Sequence, residues 1–360
     1  MISYTNDPLV LESGDHLELL THMCAYGLGA MVEAATNTPP VLRWTPGMRP
    51  RAELHHGELD PLGVASVIHE HAVRLAESSA WPNERLPLAG TKTNLYVAAM
   101  SPRISRVRSE QWPMLEERRH RVLDHVSQEG SWLELLLLWS FGEPCYWRAS
   151  RNKKGDLDQD SAASRLELQP RNRGSEIVTT RLAPLATALA NRTPEQILAG
   201  LTGASGPSDT VGKNAPDSRS AIGFRGPGPV DDAVSWCALC GISQFAINHT
   251  LKESVTAGTV QLGGSGRSEW FFVPAWRGSW TPARLRTVLA SRQLRVAARG
   301  RLGAVGQVPV VSPEIAVAEQ WLGSRGVGAV LGFPVERHGS DNAPERRAQR
   351  GRLYPIGRSR

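Results

Sequence analysis

The sequence has few cysteines, few lysines and no long apolar run, and each shortage narrows the class of protein. Four cysteines in 360 residues are too few for the disulfide framework of a small secreted domain, so we expect a reducing, cytoplasmic environment. The apolar block at 135–139 is far shorter than the roughly 20 residues that a membrane-spanning helix needs. The first residues lack a basic stretch followed by an apolar core, so we expect neither secretion nor membrane insertion.

The motifs of several enzyme classes are also missing. The sequence contains no phosphate-binding loop that ends in Gly-Lys-Ser/Thr and no Gly-x-Ser-x-Gly nucleophile elbow. The glycine-rich segment 263–266 lies between two stretches with strand character, and we interpret it as a hairpin turn. We therefore expect a protein that is not an enzyme and that uses no cofactor and no metal.

Two groups of side chains leave a metal-dependent nuclease or other enzyme open as the alternative. The first group comprises His55, His56, Glu58, Asp60, His69, Glu70 and His71. His69 and His71 are two residues apart, so they point to different faces of a helix. The second group runs from Asp156 to Glu167 and lacks the lysine that such a nuclease site usually contains.

Cys237 and Cys240 form a single Cys-x-x-Cys step. A closed structural zinc site needs four ligands, and no second pair of this kind exists in the sequence. The neighbours of both residues are apolar, which favours cysteines buried in the core.

Arginine dominates the positive charge. Only five of the 41 basic residues are lysine, and arginine suits planar, bidentate recognition of phosphate. One stretch of 25 residues contains seven arginines and no aspartate or glutamate: Arg277, Arg284, Arg286, Arg292, Arg295, Arg299 and Arg301. The alternative is a solvated basic surface of an interaction protein, with arginines that follow the composition of a GC-rich genome.

Tryptophans lie next to this acid-free stretch. Trp270, Trp276 and Trp280 together with the arginines have the composition of a groove that stacks bases and neutralises a phosphate backbone. The alternative is that the tryptophans belong to the core beneath a solvated basic surface. A polar loop before a predicted helix supplies a second candidate for phosphate binding. The predicted nucleic-acid-binding residues are Arg171, Arg173, Trp276, Arg277, Arg284, Arg286, Arg292, Arg295 and Arg299.

The hydrophobic pattern predicts an α+β fold of mixed helices and short strand groups, without regular βαβ alternation. Helical spacing occurs at 15–35, 62–79, 110–128 and 231–247, and strands are predicted at 163–168, 259–262, 269–273 and 326–334. Period alone does not separate helix from strand at 132–141.

Composition predicts four regions along the chain. They are an N-terminal α+β domain at 1–200, a flexible Gly/Pro/Ser-rich loop or linker at 201–229, a C-terminal α+β region at 230–336 and a basic tail at 337–360. The tail carries a net charge of +5 and little apolar content, so we expect it to be disordered.

Three patches resemble a known protein family. They are Cys24-Ala-Tyr-Gly-Leu-Gly-Ala-Met-Val-Glu-Ala-Ala, Val234-Ser-Trp-Cys-Ala-Leu-Cys-Gly-Ile, and Phe272-Val-Pro-Ala-Trp followed by Trp280-Thr-Pro-Ala-Arg-Leu-Arg-Thr-Val-Leu. The chain resembles the large-subunit-like CRISPR-associated proteins of type I effector complexes of an uncommon subtype. The resemblance implies a non-catalytic subunit in antiviral defence, which holds guide RNA and target DNA beside other CRISPR-associated subunits while a separate helicase-nuclease cuts.

Overall fold

A computed structural model describes most of the chain. The described residues are 7–88, 95–102, 107, 109–144, 162–168, 177–212, 222–250, 254–262, 268–303, 312–338 and 345–357. The predicted α+β class is confirmed, since helices and short antiparallel sheets are both present. Within these ranges, no helix combines the length and the apolar character needed to cross a membrane.

The helices follow the apolar spacing of the sequence. They are α1 (Leu19–Ala35), α2 (Pro61–Ala76), α3 (Trp112–Gln128), α4 (Trp132–Phe141), α5 (Ala183–Ala190), α6 (Pro194–Thr202), α7 (Asp232–Cys240), α8 (Pro282–Leu289), α9 (Arg292–Gly303) and α10 (Pro313–Ser324). The ambiguous block at 132–141 is therefore helical. Four helices contain a proline at their first position after a side-chain N-cap, a combination that fixes where a helix begins: α2, α6, α8 and α10.

The strands form small antiparallel sheets. They are β1 (Leu9–Val10), β2 (Val41–Trp44), β3 (Ala52–His55), β4 (Arg85–Leu88), β5 (Leu95–Ala98), β6 (Ile247–His249), β7 (Ser254–Thr256), β8 (Thr259–Leu262), β9 (Ser268–Trp276), β10 (Val327–His338), β11 (Glu345–Ala348) and β12 (Arg352–Pro355). One sheet has the order β1-β3-β2, and the largest has the order β11-β10-β9-β8 with β12 also paired to β10. The hairpin predicted from the strands around residues 263–266 is confirmed by the pairing of β8 with β9.

The strand predicted at 163–168 is wrong. Residues 162–168 form turns, and Ala163 makes only an isolated bridge to Gly142. The apolar residues of this segment are buried. Its backbone also finds partners in other segments, since the Arg165 amide donates to the Thr256 hydroxyl (3.0 Å). The segment therefore satisfies its backbone without a neighbouring strand.

Helices α1 and α7 pack with their backbones in contact. A Cβ atom on Gly27 of α1 would overlap the carbonyl oxygen of Cys237, and a Cβ on Gly241 would overlap the carbonyl oxygen of Met23. The small residues of α1 therefore serve close helix packing, because any side chain at these two positions would push the helices apart. The thiols of Cys237 and Cys240 are buried in this contact, which confirms the prediction of buried cysteines.

One hydrophobic core connects the two predicted domains. Its buried residues run from Leu9 to Ile356, and they include members of α1, α2, α7 and β9. The predicted linker contributes to this core, because Ile222 and Phe224 are buried and the Leu20 amide donates to the Phe224 carbonyl (3.1 Å). The boundary at 201–229 therefore does not separate two hydrophobic cores.

The prediction of a disordered tail is wrong for residues 345–357. Strands β11 and β12 both pair with β10, and Arg346 is 3% exposed where its guanidinium contacts the Glu269 carboxylate (3.2 Å). The Arg346 amide donates to the Leu168 carbonyl (3.0 Å), and the Gly351 amide donates to the Leu17 carbonyl (2.8 Å). Low apolar content does not prevent folding here, since an edge strand gains backbone partners from β10.

We expect Gly27→Ala to destabilise the fold by at least about 2 kcal/mol, because the new methyl group would force α1 and α7 apart. Gly29→Ala in the same helix is the matched control. Its Cβ would lie 3.3 Å from the side chain of Pro282, so we expect a change within about 1 kcal/mol. Urea unfolding measures both values, and equal stability of the two variants would contradict the close packing of α1 and α7.

The buried ring of His22 predicts acid sensitivity. Burial lowers the pKa of His22 to about 3, whereas the unfolded chain titrates near 6.5. Protons therefore bind the unfolded state preferentially, and the free energy of unfolding falls as the pH drops below about 6.5. Between about pH 7 and pH 5, we expect His22 to account for a loss of about 2 kcal/mol. Urea unfolding should show a loss smaller by this amount in His22→Gln, and an unchanged loss would contradict a neutral buried imidazole.

Candidate nucleic-acid interface

The fold neutralises part of the acid-free stretch at 277–301. Glutamates from α1 and α10 approach three of its seven arginines: Arg286 pairs with Glu33 (2.5 Å), Arg292 with Glu314 (2.7 Å) and Arg301 with Glu319 (2.6 Å). The net positive charge around these arginines in the folded protein is therefore smaller than the +7 counted along the sequence. Arg286 is half-buried and also donates to the Gln244 side chain (3.2 Å), so its role is to hold α8 against the core.

The other four arginines of the stretch have no carboxylate beside them in the described part of the chain. Within the described ranges, Arg277, Arg284, Arg295 and Arg299 form no ion pair with a carboxylate. Arg295 and Arg299 are four residues apart in α9, as the sequence predicts for one helix face. Arg277 and Arg284 belong to a different group, which the fold assembles from remote segments.

The turn between β9 and α8 lies against the junction of α10 and β10. The Arg277 amide donates to the Gly326 carbonyl (3.3 Å), and the Arg284 guanidinium donates to the Arg325 carbonyl (2.6 Å). The guanidinium of Arg43 in β2 donates to the Ser279 hydroxyl on the same turn (2.5 Å). We call Arg43, Arg277, Arg284 and Arg325 the arginine cluster.

Backbone geometry fixes the position of this cluster. The amide and carbonyl of Leu42 exchange hydrogen bonds with those of Trp280 (2.8 and 3.0 Å), which ties β2 to the turn. Gly278 and Gly326 have φ angles of +78° and +79°, a conformation that glycine adopts without strain. The Thr281 side chain caps α8 by accepting from the Arg284 amide (3.3 Å).

Two of the cluster's guanidinium groups lie over tryptophan rings. The Arg325 guanidinium carbon is 3.6 Å from the centre of the Trp321 ring, and that of Arg284 is 4.9 Å from the Trp280 ring. Such cation–π contacts restrict the side chains before any ligand binds. Arg277 and Arg284 are exposed and Arg325 is half-buried, so the cluster presents positive charge at the surface.

Trp276 does not provide the predicted stacking platform. Its side chain is only 6% exposed and stacks on Trp280, with ring centres 4.8 Å apart and planes at 18°. Trp44 contacts Trp276 edge-on (5.8 Å) and Tyr26 lies on a further side (6.2 Å). A base needs an open ring face to stack, so the buried ring acts in the core.

The other predicted residues have mixed outcomes. Arg171 and Arg173 lie outside the described residues. Sequence reasoning missed Arg43 and Arg325, which join the cluster from positions far along the chain. The Trp321-x-x-x-Arg325 spacing is a local signal for Arg325, because residues four apart on a helix face each other, whereas no local pattern marks Arg43.

The histidine group at 55–71 is dispersed by the fold. His56 is buried, and its ring accepts from the Leu59 amide (3.0 Å) while its other nitrogen donates to the Thr38 carbonyl (2.8 Å). His55 contacts Glu53 (3.1 Å), and His71 is buried against Trp236. Across the part of the chain that the structure describes, no group of three or more histidine, cysteine, aspartate or glutamate side chains is placed to bind a metal ion.

The structure describes only part of the remaining metal candidates. Glu167 is buried, and its carbonyl accepts from Arg346, whereas Asp156 lies outside the described residues. Burial raises the pKa of the Cys237 and Cys240 thiols, which disfavours the thiolate that a metal needs.

No protein-family model matches the chain. No curated protein matches it either.

Proposed function

We propose that the protein is a non-catalytic nucleic-acid-binding protein, whose arginine cluster contacts the phosphate backbone. The observation that carries this proposal is the convergence of Arg277, Arg284 and Arg325 on one turn. Among the described residues, no carboxylate forms an ion pair with any of these three. Uncompensated guanidinium groups attract phosphates, and binding gains further from the counterions that the nucleic acid releases.

The cluster is suited to this role because its side chains are already restrained. Arg284 is held by a carbonyl and by Trp280, and Arg325 is held by Trp321. Less rotamer entropy is therefore lost when a phosphate binds. Contacts of this kind read charge and backbone shape and carry no sequence information.

The resemblance to large-subunit-like CRISPR-associated proteins supports a finer proposal. In it, the nucleic acids are guide RNA and target DNA, the partners are other CRISPR-associated subunits, and the chain performs no cleavage itself. We expect RNA that co-purifies with the tagged protein from its native cells to contain repeat and spacer sequences. A bound RNA population without them would contradict this assignment and leave the general proposal to its own test.

The cluster is tested by the triple variant Arg277→Gln, Arg284→Gln, Arg325→Gln. We expect weaker binding of single-stranded RNA and DNA, and a slope of log affinity against log salt that falls by roughly two, because three phosphate contacts are lost. Glutamine keeps a donor at each position and so limits damage to the fold. Fluorescence anisotropy across a series of salt concentrations gives both quantities.

The matched control removes the same charge where arginines are already paired with acids. The control is the triple variant Arg121→Gln, Arg292→Gln, Arg350→Gln. These three arginines are exposed, and they pair with Glu117, Glu314 and Asp15 respectively. We expect the control to retain most of the affinity and of the salt slope. Equal losses in the two triple variants would show that only net charge matters, which would contradict a defined binding cluster.

A further inference from the structure

A second surface, with the opposite charge, lies on the helices α1, α2 and α4. A cavity of about 530 Å³ opens between the end of α1, the second half of α2 and the turn that joins α3 to α4. Its charged and aromatic lining consists of Glu70, His71, Arg74, Glu129, Trp132 and Glu134. Three carboxylates face one arginine there, so the cavity has an excess of negative charge.

The negative charge at the floor of the cavity is poorly compensated. Glu134 is 5% exposed and accepts from the indole nitrogen of Trp81 (3.0 Å). Its only ion pair among the described residues is a long contact of 3.4 Å with Arg74, whose side chain is largely exposed. A buried carboxylate whose one cation is largely exposed to solvent gains from a further cation nearby.

His71 adds an unpartnered polar group to the cavity wall. Its side chain is 3% exposed, and neither ring nitrogen has a hydrogen-bond partner among the residues that the structure describes. Burial, and then the charge of Arg74, lowers its pKa to about 3, so the ring is neutral near pH 7. A neutral imidazole offers one acceptor and one donor and does not repel a cation.

An apolar stripe continues from the rim of the cavity along α4. Trp132 and Trp139 are 54% and 57% exposed, and their rings meet edge-to-face with centres 6.0 Å apart. Leu135 and Leu136 lie between them and are partly exposed, which completes the spacing of one helix face. Aromatic residues, and tryptophan above all, are enriched at the centre of protein–protein interfaces.

We propose that this surface binds a protein partner, which inserts an arginine side chain into the acidic cavity and packs apolar residues on the α4 stripe. A guanidinium fits the carboxylates because it donates in a planar, bidentate manner, and it stacks on an indole such as that of Trp132. Charge complementarity selects a basic segment. It also argues against a nucleic acid, whose phosphates Glu70, Glu129 and Glu134 would repel.

The cavity is tested with N-acetyl-arginine amide, using N-acetyl-citrulline amide as a ligand of the same size without the charge. The protein is labelled with 5-fluorotryptophan, and the ¹⁹F resonance of Trp132 is assigned by its loss in Trp132→Phe. We expect the arginine compound to shift this resonance saturably and the citrulline compound to leave it in place. Equal responses to both compounds, or no response to either, would overturn the proposal.

Two charge variants locate the binding. Glu70→Gln with Glu129→Gln should weaken the arginine compound at least about fivefold, because two carboxylates at the rim lose their charge. Glu116→Gln with Glu117→Gln on α3 is the matched control, since these exposed residues lie outside the cavity lining. An unchanged affinity in the first pair, with the far-ultraviolet circular dichroism of the wild type, would overturn the proposal.

A peptide decides whether the occupant is a protein segment. Acetyl-Leu-Leu-Arg-Leu-amide should bind at least about tenfold more tightly than the arginine compound, since leucines bury surface against α4. Trp139→Ala should remove most of this advantage and leave the arginine compound unaffected. Equal affinity of the peptide and the arginine compound would overturn the proposal that a protein segment binds here. Self-association of the wild-type chain that Trp139→Ala abolishes would overturn the proposal of a different protein as partner, because the occupant would then be a second copy of this chain.

Discussion

The close approach of α1 to α7 holds the N-terminal and C-terminal segments of the chain together. Gly27 and Gly241 let the two backbones touch, and this contact joins the beginning of the chain to segments beyond residue 222. Glu33 at the end of α1 can then pair with Arg286 of α8. The arginine cluster is a product of the same packing, since Arg43 reaches it from the N-terminal part and its other members come from the C-terminal part.

The fold converts an arginine-rich composition into two surfaces of opposite charge. Acidic residues of α1 and α10 pair with Arg286, Arg292 and Arg301. In the described part of the chain, no carboxylate forms an ion pair with Arg277, Arg284 or Arg325 beside Gly326. On α2 and α4, carboxylates outnumber arginines around the cavity. The two proposals accordingly assign phosphates to one surface and a basic protein segment to the other, because each charge attracts its opposite.

Local patterns in the sequence predicted the elements and missed most of their assembly. The helices and the β8–β9 hairpin follow from apolar spacing and turn residues, which act over a few positions. The sequence did not decide between a stacking role and a core position for Trp276, because tryptophans beside arginines have the same composition in a core as in a stacking groove. The buried ion pair between Glu269 and Arg346 holds the tail against β9. The two residues are 77 positions apart in the chain, and no local pattern connects them.

Hydrogen–deuterium exchange of the protein with bound single-stranded RNA locates the nucleic-acid-binding surface. If the arginine cluster holds the backbone, amides in peptides covering 276–284 and 321–327 will exchange more slowly in the complex, because bound RNA restrains the turn and the α10–β10 junction. The acidic cavity on α2 and α4 will exchange at the rate of the free protein. Protection confined to α2 and α4, with an unchanged rate at 276–284, would contradict the assignment of nucleic-acid binding to the cluster.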